Sequence, residues 1–227
     1  MQDKRIIGVV GGVGPYAGLD LVEKIFDNTK AEKDQEHLPV ALLSFPENIV
    51  DRTLFLIGKE KENPAEEAFK IIKNLDLIGA KVVGIPCNTF HSPEIFDVLV
   101  EKLREADIRI KLLNMIEEVG VFLKENTSIK KVGLLSTLGT YKTKLYPEIL
   151  ERRGIKVIEP NKKLKKNYVH DAIYNSGYGI KAQSNPVNKK AKSKLRKAIN
   201  YLQEQGAKAI IMGCTEIPLA LNKNAFP

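Results

Sequence analysis

The sequence predicts an α/β fold made of two similar halves, each with a mostly parallel sheet covered by helices. Short apolar runs alternate with amphipathic stretches along the chain, which is typical of β/α units. The stretch before Cys87 is repeated before Cys214, with Gly-Ala-Lys at the same offset from each cysteine. Gly8 and Gly133 lie 125 residues apart in the first strand of each half, and the cysteines lie 127 apart. We therefore expect an internal duplication and two pseudo-symmetric three-layer αβα domains.

The length and composition fit this division. A chain of 227 residues can bury two cores of about 100 residues each, a common domain size. The 43% hydrophobic and 7% aromatic content is that of an ordinary globular protein. We expect an N-terminal domain over residues 1–113, completed by residues 217–227, and a C-terminal domain over residues 114–216.

The sequence carries no membrane or secretory signal. No apolar run reaches the ~18 residues that a spanning helix needs, and the N-terminus leads into a strand without a signal-peptide pattern. We expect a cytoplasmic protein with no membrane contact, in which both cysteines are reduced thiols.

The net charge of +8 raises the question of nucleic-acid binding. Lysines cluster over residues 162–166 and 189–197, but aromatic residues are nearly absent from these clusters. We interpret them as solvated lysine faces with a weak attraction for anionic substrates. No nucleic-acid partner is expected.

The first half begins with a predicted strand over 5–10, a glycine-rich turn over 11–15 and a helix over 17–29. The glycines lack the spacing of a dinucleotide site, so we expect Gly12, Val13 and Gly14 to bring the backbone close to a small ligand. The other elements predicted for this half are strands over 38–44, 81–85 and 109–113, and helices over 65–77 and 93–105.

The second half starts again with a predicted strand over 131–135. The loop after it, which contains Thr137, aligns with the glycine-rich turn of the first half. The remaining predictions are a strand over 155–158, a strand before Cys214, helices over 168–174 and 194–205, and a loop over 175–188 that holds Lys181.

Cys87 follows a predicted strand and precedes a predicted helix, at the sheet edge where open α/β folds bind ligands. Backbone N–H groups at a helix start favour both a thiolate and a bound carboxylate. A single cysteine there is more often a small buried hydrophobe, but the second copy at Cys214 favours chemistry. If a pseudo-twofold relates the halves, the two sulfurs face one cleft between the domains. A carbon held between them could lose a proton to one sulfur and gain one from the other, which predicts racemisation with sulfurs about 7–8 Å apart.

A disulfide and a zinc site are the two other uses that such cysteines could have. A disulfide is disfavoured in the cytoplasm, and the Cys-x-x-Cys redox spacing is absent. Zinc needs three or four ligands, and the histidines at 37, 91 and 170 are scattered. We therefore expect neither a disulfide nor a metal.

Several motifs in this sequence resemble those of the aspartate/glutamate racemase family, and most of all its cofactor-independent aspartate racemases. They are Gly-Gly-Val-Gly-Pro at 11–15, Asp-Gln-Glu-His at 34–37, Asp-Arg-Thr at 51–53, Pro-Cys-Asn-Thr at 86–89, Leu-Asn-Met-Ile-Glu-Glu at 113–118 and Gly-Cys-Thr-Glu at 213–216. The resemblance spans residues 5–220. It implies the interconversion of L- and D-aspartate, with glutamate as a further substrate, in a homodimer without pyridoxal phosphate or metal.

The resemblance also assigns roles to particular residues. Cys87 and Cys214 match the two acid/base cysteines of the family. Arg52 matches an arginine that binds the side-chain carboxylate, a task that suits a guanidinium fork. Lys181 matches a lysine with the same task. The remaining substrate contacts are assigned to Asn88, Thr89 and Thr215, which match residues that hold the α-carboxylate and amino group, and to Gly12, Val13, Gly14 and Thr137 of the first loops.

Alternatives stay open for some of these residues and for the reaction. Arg52 could be a surface ion pair, and Lys181 a solvated loop lysine. Phe90 replaces a usual small residue and Val13 a usual Met, which leaves the choice between aspartate and glutamate open, while Glu216 stands where glutamate racemases have His. Related enzymes decarboxylate malonates or isomerise maleate, so a cysteine-dependent isomerase or decarboxylase and a catalytically silent anion-binding protein remain alternatives.

Overall fold

The computed structural model describes residues 6–221. Its backbone packing divides the chain into two compact units, one that ends at Met115 and one that begins at Ile116. Each unit contains its own parallel sheet, so the predicted α/β class with parallel sheets is confirmed.

The first unit contains a four-stranded sheet in the order β2-β1-β3-β4, with all strands parallel. Its strands are β1 (Ile6–Gly11), β2 (Val40–Ser44), β3 (Ala80–Gly84) and β4 (Lys111–Leu112). Its helices are α1 (Pro15–Asp27), α2 (Arg52–Leu56), α3 (Ala65–Leu77) and α4 (Pro93–Glu105), with 3-10 turns at Asp34–Glu36 and Asn88–His91. Helix α5 (Met115–Asn126) leads into the second unit.

The second unit contains a three-stranded parallel sheet in the order β6-β5-β7. Its strands are β5 (Lys131–Ser136), β6 (Lys156–Ile158) and β7 (Ala209–Gly213). After α5, its helices are α6 (Leu138–Lys142), α7 (Leu145–Glu151), α8 (Lys162–Leu164), α9 (Asp171–Tyr174), α10 (Lys189–Glu204) and α11 (Ile217–Ala220), with a π-helical turn at Lys165–His170.

Gly8 and Gly133 allow the same close packing of a helix and a neighbouring strand in the two units. In the first unit, a Cβ at Gly8 would lie 2.8 Å from Val83 Cγ2 of β3 and 3.1 Å from Leu75 Cδ1 of α3. In the second, a Cβ at Gly133 would lie 2.7 Å from Ile210 Cδ1 of β7 and 3.0 Å from Leu202 Cδ1 of α10. In both units, only a residue without a side chain lets the helix before the cysteine strand pack this close to the first strand.

Each unit has an apolar core of its own. In the first, Val10 and Val83 of the sheet pack with Ile72 of α3 and Leu99 of α4. In the second, Leu135 of β5 packs with apolar residues of α10 such as Leu195 and Ile199. These helices bury the residues three and four apart that predicted them, which is why α3 and α4 have the predicted bounds.

Other predicted bounds were wrong. Helix α10 begins at Lys189 rather than residue 194, because the Asn188 side chain caps it by accepting a hydrogen bond of 2.9 Å from the Lys190 N–H. The helix predicted over 168–174 begins earlier, as the π-helical turn that runs into α9. Helices α5 and α7 were not predicted at all.

The predicted domain limits stay a prediction. The expected closure of the first domain by residues 217–227 falls largely on residues 222–227, which lie outside those described. Of the described part, Ile217 and Leu221 pack in the apolar core of the second unit. Within the range 6–221, no helix has both the length and the apolar composition that crossing a membrane requires.

Candidate active site

Cys87 lies three residues after β3, at the start of the 3-10 turn Asn88–His91. Cys87 is only 5% exposed. The turn folds back on the cysteine, because the Phe90 N–H and the His91 Nδ1 both contact the Cys87 carbonyl, at 3.2 and 2.8 Å. The predicted position of Cys87 at the carboxyl end of a parallel strand is confirmed.

The residues after Cys87 are buried together. Asn88 and Thr89 are 7% and 6% exposed, so their side chains are withdrawn from bulk solvent. Phe90 is fully buried in the core of the first unit. An aromatic ring at this position therefore anchors the cysteine loop to the core.

His91 is a neutral imidazole beneath this loop. Burial lowers the pKa of His91 to about 4, although hydrogen bonds with the backbone of Cys87 and Leu113 act the other way. The ring stacks on Phe96 of α4, with centroids 5.0 Å apart. At neutral pH this histidine therefore fixes the Cys87 backbone without adding a charge near the thiol.

The glycine-rich turn after β1 is shaped by backbone packing. Gly12 has a φ of +82°, and a Cβ there would lie 2.8 Å from the backbone nitrogen of Pro46. Val13 is fully buried in the core of the first unit, so only its backbone can reach a ligand. Gly14, with a φ of +116°, leads into α1. The sequence requirement for glycine here is explained by the turn itself.

Arg52 is the first residue of α2 and is 9% exposed, so it is not a surface ion pair. Its Nη1 donates a hydrogen bond of 3.2 Å to the Val50 carbonyl. The preceding Asp51 caps α2 by accepting hydrogen bonds from the N–H groups of Thr53 and Leu54, at 2.8 and 3.0 Å. Helix α2 packs beside the 3-10 turn that follows Cys87, which brings a buried guanidinium to the same region of the first unit.

Cys214 follows β7 directly and is also 5% exposed. Beside it in the sheet, Ser136 at the end of β5 donates a hydrogen bond from its hydroxyl to the Gly213 carbonyl. Thr137 follows, 2% exposed, and caps α6 by accepting a hydrogen bond of 3.4 Å from the Thr140 N–H. The carboxyl ends of β5 and β7 thus bring the predicted Thr137 and Cys214 to one edge of the second sheet.

A buried carboxylate binds the Cys214 thiol. The Cys214 Sγ–H donates a hydrogen bond of 2.8 Å to Glu216 Oε2, and the Thr215 hydroxyl donates one of the same length to that oxygen. The Lys181 Nζ lies 3.0 Å from the other oxygen, Oε1, and 5.1 Å from the centre of the Tyr174 ring. Lys181 is thus an exposed residue of the loop before α10 whose ammonium is ion-paired with Glu216.

These contacts set the protonation of the two acidic groups. Burial raises the pKa of the Cys214 thiol well above its ordinary value, and the charge and hydrogen bond of Glu216 raise it further, while Lys181 acts in the opposite direction. Burial alone would raise the pKa of Glu216, but Lys181 and the hydrogen bonds from Cys214 and Thr215 hold it below its ordinary value. At neutral pH the pair is a thiol beside a carboxylate.

Two buried tyrosines complete the surroundings of Cys214. Burial raises the pKa of both Tyr141 and Tyr146, so they are neutral phenols. The Tyr141 hydroxyl accepts a hydrogen bond of 2.9 Å from the Ser136 N–H and donates one of 3.0 Å to the Leu134 carbonyl. Tyr141 thus holds α6 against the end of β5.

The residues predicted from the sequence fall into two groups by unit. Asn88, Thr89 and Arg52 gather near Cys87, and Thr215, Lys181 and Thr137 near Cys214. Sequence reasoning assigned no role to Glu216 or His91, although both lie within four residues of a cysteine. Their acidic and imidazole side chains, so close to each thiol, are the signal that could have found them. Both cysteines are free thiols, and residues 6–221 contain no cluster of three or more His, Cys, Asp or Glu side chains arranged to hold a metal ion.

Solved structures from other organisms share this fold. Aspartate racemase from Picrophilus torridus is 28% identical with a TM-score of 0.76, over 97% of this chain and 85% of that one. An aspartate racemase homologue from Pyrococcus horikoshii OT3 is 22% identical with a TM-score of 0.69, over 98% of this chain and 90% of that one. Glutamate racemase isoform RacE1 from Bacillus anthracis is 16% identical with a TM-score of 0.62, over 99% of this chain and 75% of that one.

The sequence profile of the Asp/Glu/hydantoin racemase family matches residues 10–226, nearly the whole chain. That span includes both cysteine loops and the buried Arg52. The resemblance inferred from the sequence motifs is confirmed. The chain belongs to the Asp/Glu/hydantoin racemase family and is by class an isomerase, a racemase.

Proposed function

We propose that this racemase interconverts L- and D-aspartate, with glutamate as a further substrate, by proton transfer between two thiols and without pyridoxal phosphate or metal. The observation that carries the proposal is the repeated cysteine. Cys87 and Cys214 each follow the strand that pairs with the first strand of a unit, at the carboxyl end of a parallel sheet. The likeness to aspartate racemase from Picrophilus torridus supports aspartate as the first substrate to test.

The reaction needs one base and one acid on opposite faces of the substrate Cα. A Cys87 thiolate takes the Cα proton and becomes a thiol, while the Cys214 S–H bond breaks and delivers its proton to the opposite face. The product is the other enantiomer, and Cys214 is left as a thiolate. The reverse reaction uses the same two groups with their roles exchanged.

The polar groups near each cysteine suit a dicarboxylate. Arg52 offers a buried guanidinium, whose planar fork matches a carboxylate in two hydrogen bonds. Lys181 contributes an ammonium, a cation beside Glu216 in the second unit. We assign the distal carboxylate to Arg52 and Lys181. The α-carboxylate and amino group are assigned to Asn88, Thr89, Thr137 and Thr215 and to the backbone of Gly12, Val13 and Gly14.

Incubation with L-aspartate in deuterated water tests the proposal. A two-thiol racemase forms D-aspartate and places deuterium at Cα of the product, because the proton that it delivers comes from a solvent-exchanged thiol. Chiral chromatography with mass spectrometry measures both. D-aspartate without Cα deuterium would contradict the mechanism, and no turnover of aspartate or glutamate would contradict the substrate.

Two other outcomes correspond to the alternatives from the sequence. Loss of carbon dioxide from a malonate, or conversion of maleate to fumarate, without racemisation of aspartate would identify a cysteine-dependent decarboxylase or isomerase. Binding of aspartate with no chemical change would identify an anion-binding protein. The pair of cysteines favours racemisation, because a decarboxylation needs only one proton donor.

We also propose a homodimer in the cytoplasm, whose reducing conditions keep both thiols free. Helix α1 supports the dimer, since its side chains Tyr16, Leu19 and Phe26 are 45%, 59% and 39% exposed. An apolar face of this kind is typical of a surface that a second protein covers. Light scattering of the wild-type chain and of a Leu19→Glu variant checks this, and a wild-type monomer would contradict it.

A further inference from the structure

Glu216 is a buried carboxylate whose position is not explained by folding alone. It precedes α11, where an acidic side chain often caps a helix, but its side chain makes no capping hydrogen bond. Instead it turns back and accepts the hydrogen bonds of Cys214 and Thr215. A carboxylate that is 8% exposed costs several kcal/mol to bury unless it is paired, and Lys181 supplies the pairing charge.

We propose that Glu216 is a positioning residue that holds the proton of Cys214, so that Cys214 is the proton donor and Cys87 the proton acceptor in the resting protein. The inference rests on the proposed racemase function and assigns a starting direction to it. The S–H group of Cys214 points at Glu216 Oε2 over 2.8 Å. Within the first unit, the described residues place no carboxylate on the Cys87 sulfur.

This arrangement favours one of the two protonation forms of the cysteine pair. Proton transfer through the substrate links two forms of the protein, a first form in which Cys214–SH is the proton donor and a second form with Cys87–SH and Cys214–S⁻. In the second form a thiolate faces the Glu216 carboxylate, and the like charges repel. Lys181, 3.0 Å from Glu216, offsets part of that repulsion, so the second form is disfavoured but still reached.

Within residues 6–221, four charged or titratable groups interact electrostatically with the Cys214 thiol. They are Glu216, Lys181, Tyr141 and Tyr146. The two phenols are neutral, because burial raises the pKa of each. Glu216 and Lys181 are therefore the two charges that set the ionisation of Cys214, and they act in opposite directions.

Nuclear magnetic resonance tests this without relying on activity. The chain has only two cysteines, so labelling with cysteine carbon-13 at Cβ gives two resonances, which a Cys87→Ser variant assigns. We expect the Cys214 resonance to titrate well above the ordinary range of a thiol. In Glu216→Gln the Cys214 midpoint should fall by about one pH unit or more, since an amide replaces the like charge.

The alkaline limb of the kcat/KM profile should shift to lower pH in Glu216→Gln, as the Cys214 midpoint does. The alkaline limb of the kcat/KM profile reports ionisation of the second thiol, which leaves no proton donor. Glu216→Gln should shift this limb to lower pH for both enantiomers. The matched control is Glu159→Gln, which removes a carboxylate that is ion-paired with Lys165 in the same unit but does not contact Cys214. It should leave the Cys214 titration unchanged.

Each outcome decides the inference. An ordinary midpoint for Cys214 in the wild-type protein would overturn it, even if Glu216→Gln fails to fold. A folded Glu216→Gln variant that loses activity while Cys214 titrates as in wild type would reduce Glu216 to a structural residue. If Cys214 behaves as expected but aspartate is not racemised, the proposed function fails and the role of Glu216 in holding the proton stands.

Discussion

The two cysteine loops share a backbone plan and differ in what holds the thiol. Each follows a strand that pairs with the first strand of its unit, and each cysteine is 5% exposed. The Cys87 loop is held by uncharged groups, namely backbone hydrogen bonds and the buried ring of His91, and the Arg52 guanidinium lies in the same region of the unit. The Cys214 loop is held by charges, with Glu216 on the thiol and Lys181 on Glu216.

The difference shows how a duplicated fold can perform an asymmetric task. The scaffold has stayed equivalent, since Gly8 and Gly133 still make room for the same two packing partners. The charges near the thiols differ, and the proposed substrate, with one distal carboxylate, is itself asymmetric. A thiol beside a carboxylate keeps its proton, and within residues 6–221 no hydrogen bond joins the Cys87 sulfur to a carboxylate. Variants that remove one group from either loop should show this difference.

The largest effect is expected from loss of either thiol. Cys87→Ser and Cys214→Ser should each reduce racemisation by about 10²–10⁴-fold or more, because each removes the acid or the base for both enantiomers. The two variants should differ in Cα–deuterium exchange. Cys214→Ser keeps a thiol free of a carboxylate and should exchange one enantiomer readily, whereas Cys87→Ser keeps the thiol that Glu216 holds protonated and should exchange the other slowly.

Exchange is measured separately on L- and D-aspartate by proton resonance in deuterated water. Equal exchange of both enantiomers by both variants would remove the proposed difference between the loops. Full racemisation by both single variants would refute the two-thiol scheme.

A smaller loss is expected from Arg52→Ala. The second half of the duplication has no equivalent of Asp51-Arg52-Thr53, so this arginine marks the end of the substrate that breaks the symmetry. Losing a desolvated partner for the distal carboxylate should cost about 2–5 kcal/mol in kcat/KM for aspartate. Amino acids with neutral side chains should lose far less.

The matched control for this prediction is Arg109→Ala. Arg109 is in the first unit but is largely exposed and paired with Asp107. Steady-state kinetics on aspartate and alanine measure both variants. Equal losses for the two substrates in Arg52→Ala would make Arg52 a structural residue and leave the preference for acidic substrates without a physical basis.

The sequence was sufficient for the parts of the molecule that depend on local pattern. Apolar residues three and four apart gave α3 and α4 their bounds, and the repeated Gly-Ala-Lys located both cysteines at strand ends. It was insufficient where the structure depends on contacts between distant residues. Glu216 and Lys181 are 35 residues apart, and no periodic pattern links them.

Short helices were missed for a related reason. Helix α7 has only seven residues and follows its N-cap residue Lys144, which has a positive φ of 52°. Its burial of Tyr146 and Ile149 in the second unit, rather than intrinsic propensity, stabilises it. Propensity alone could not have marked so short an element.

The last effect is expected from His91, and it concerns stability rather than chemistry. The pKa of His91 is lowered by burial from 6.5 to about 4, so the unfolded chain binds a proton more tightly than the folded one. The resulting stability is fully present above pH 6.5 and is lost as the pH falls toward 4. The loss over that window should amount to about 3 kcal/mol.

Denaturant unfolding of wild type and His91→Gln between pH 7 and pH 4 measures this. The variant should be less stable at pH 7, because it loses the stacking on Phe96, but its stability should fall less steeply with acid. Replacement of the exposed His37 by Gln is the matched control. Parallel pH profiles for wild type and His91→Gln would mean that the imidazole beneath Cys87 is charged, and that the first loop is not the neutral one.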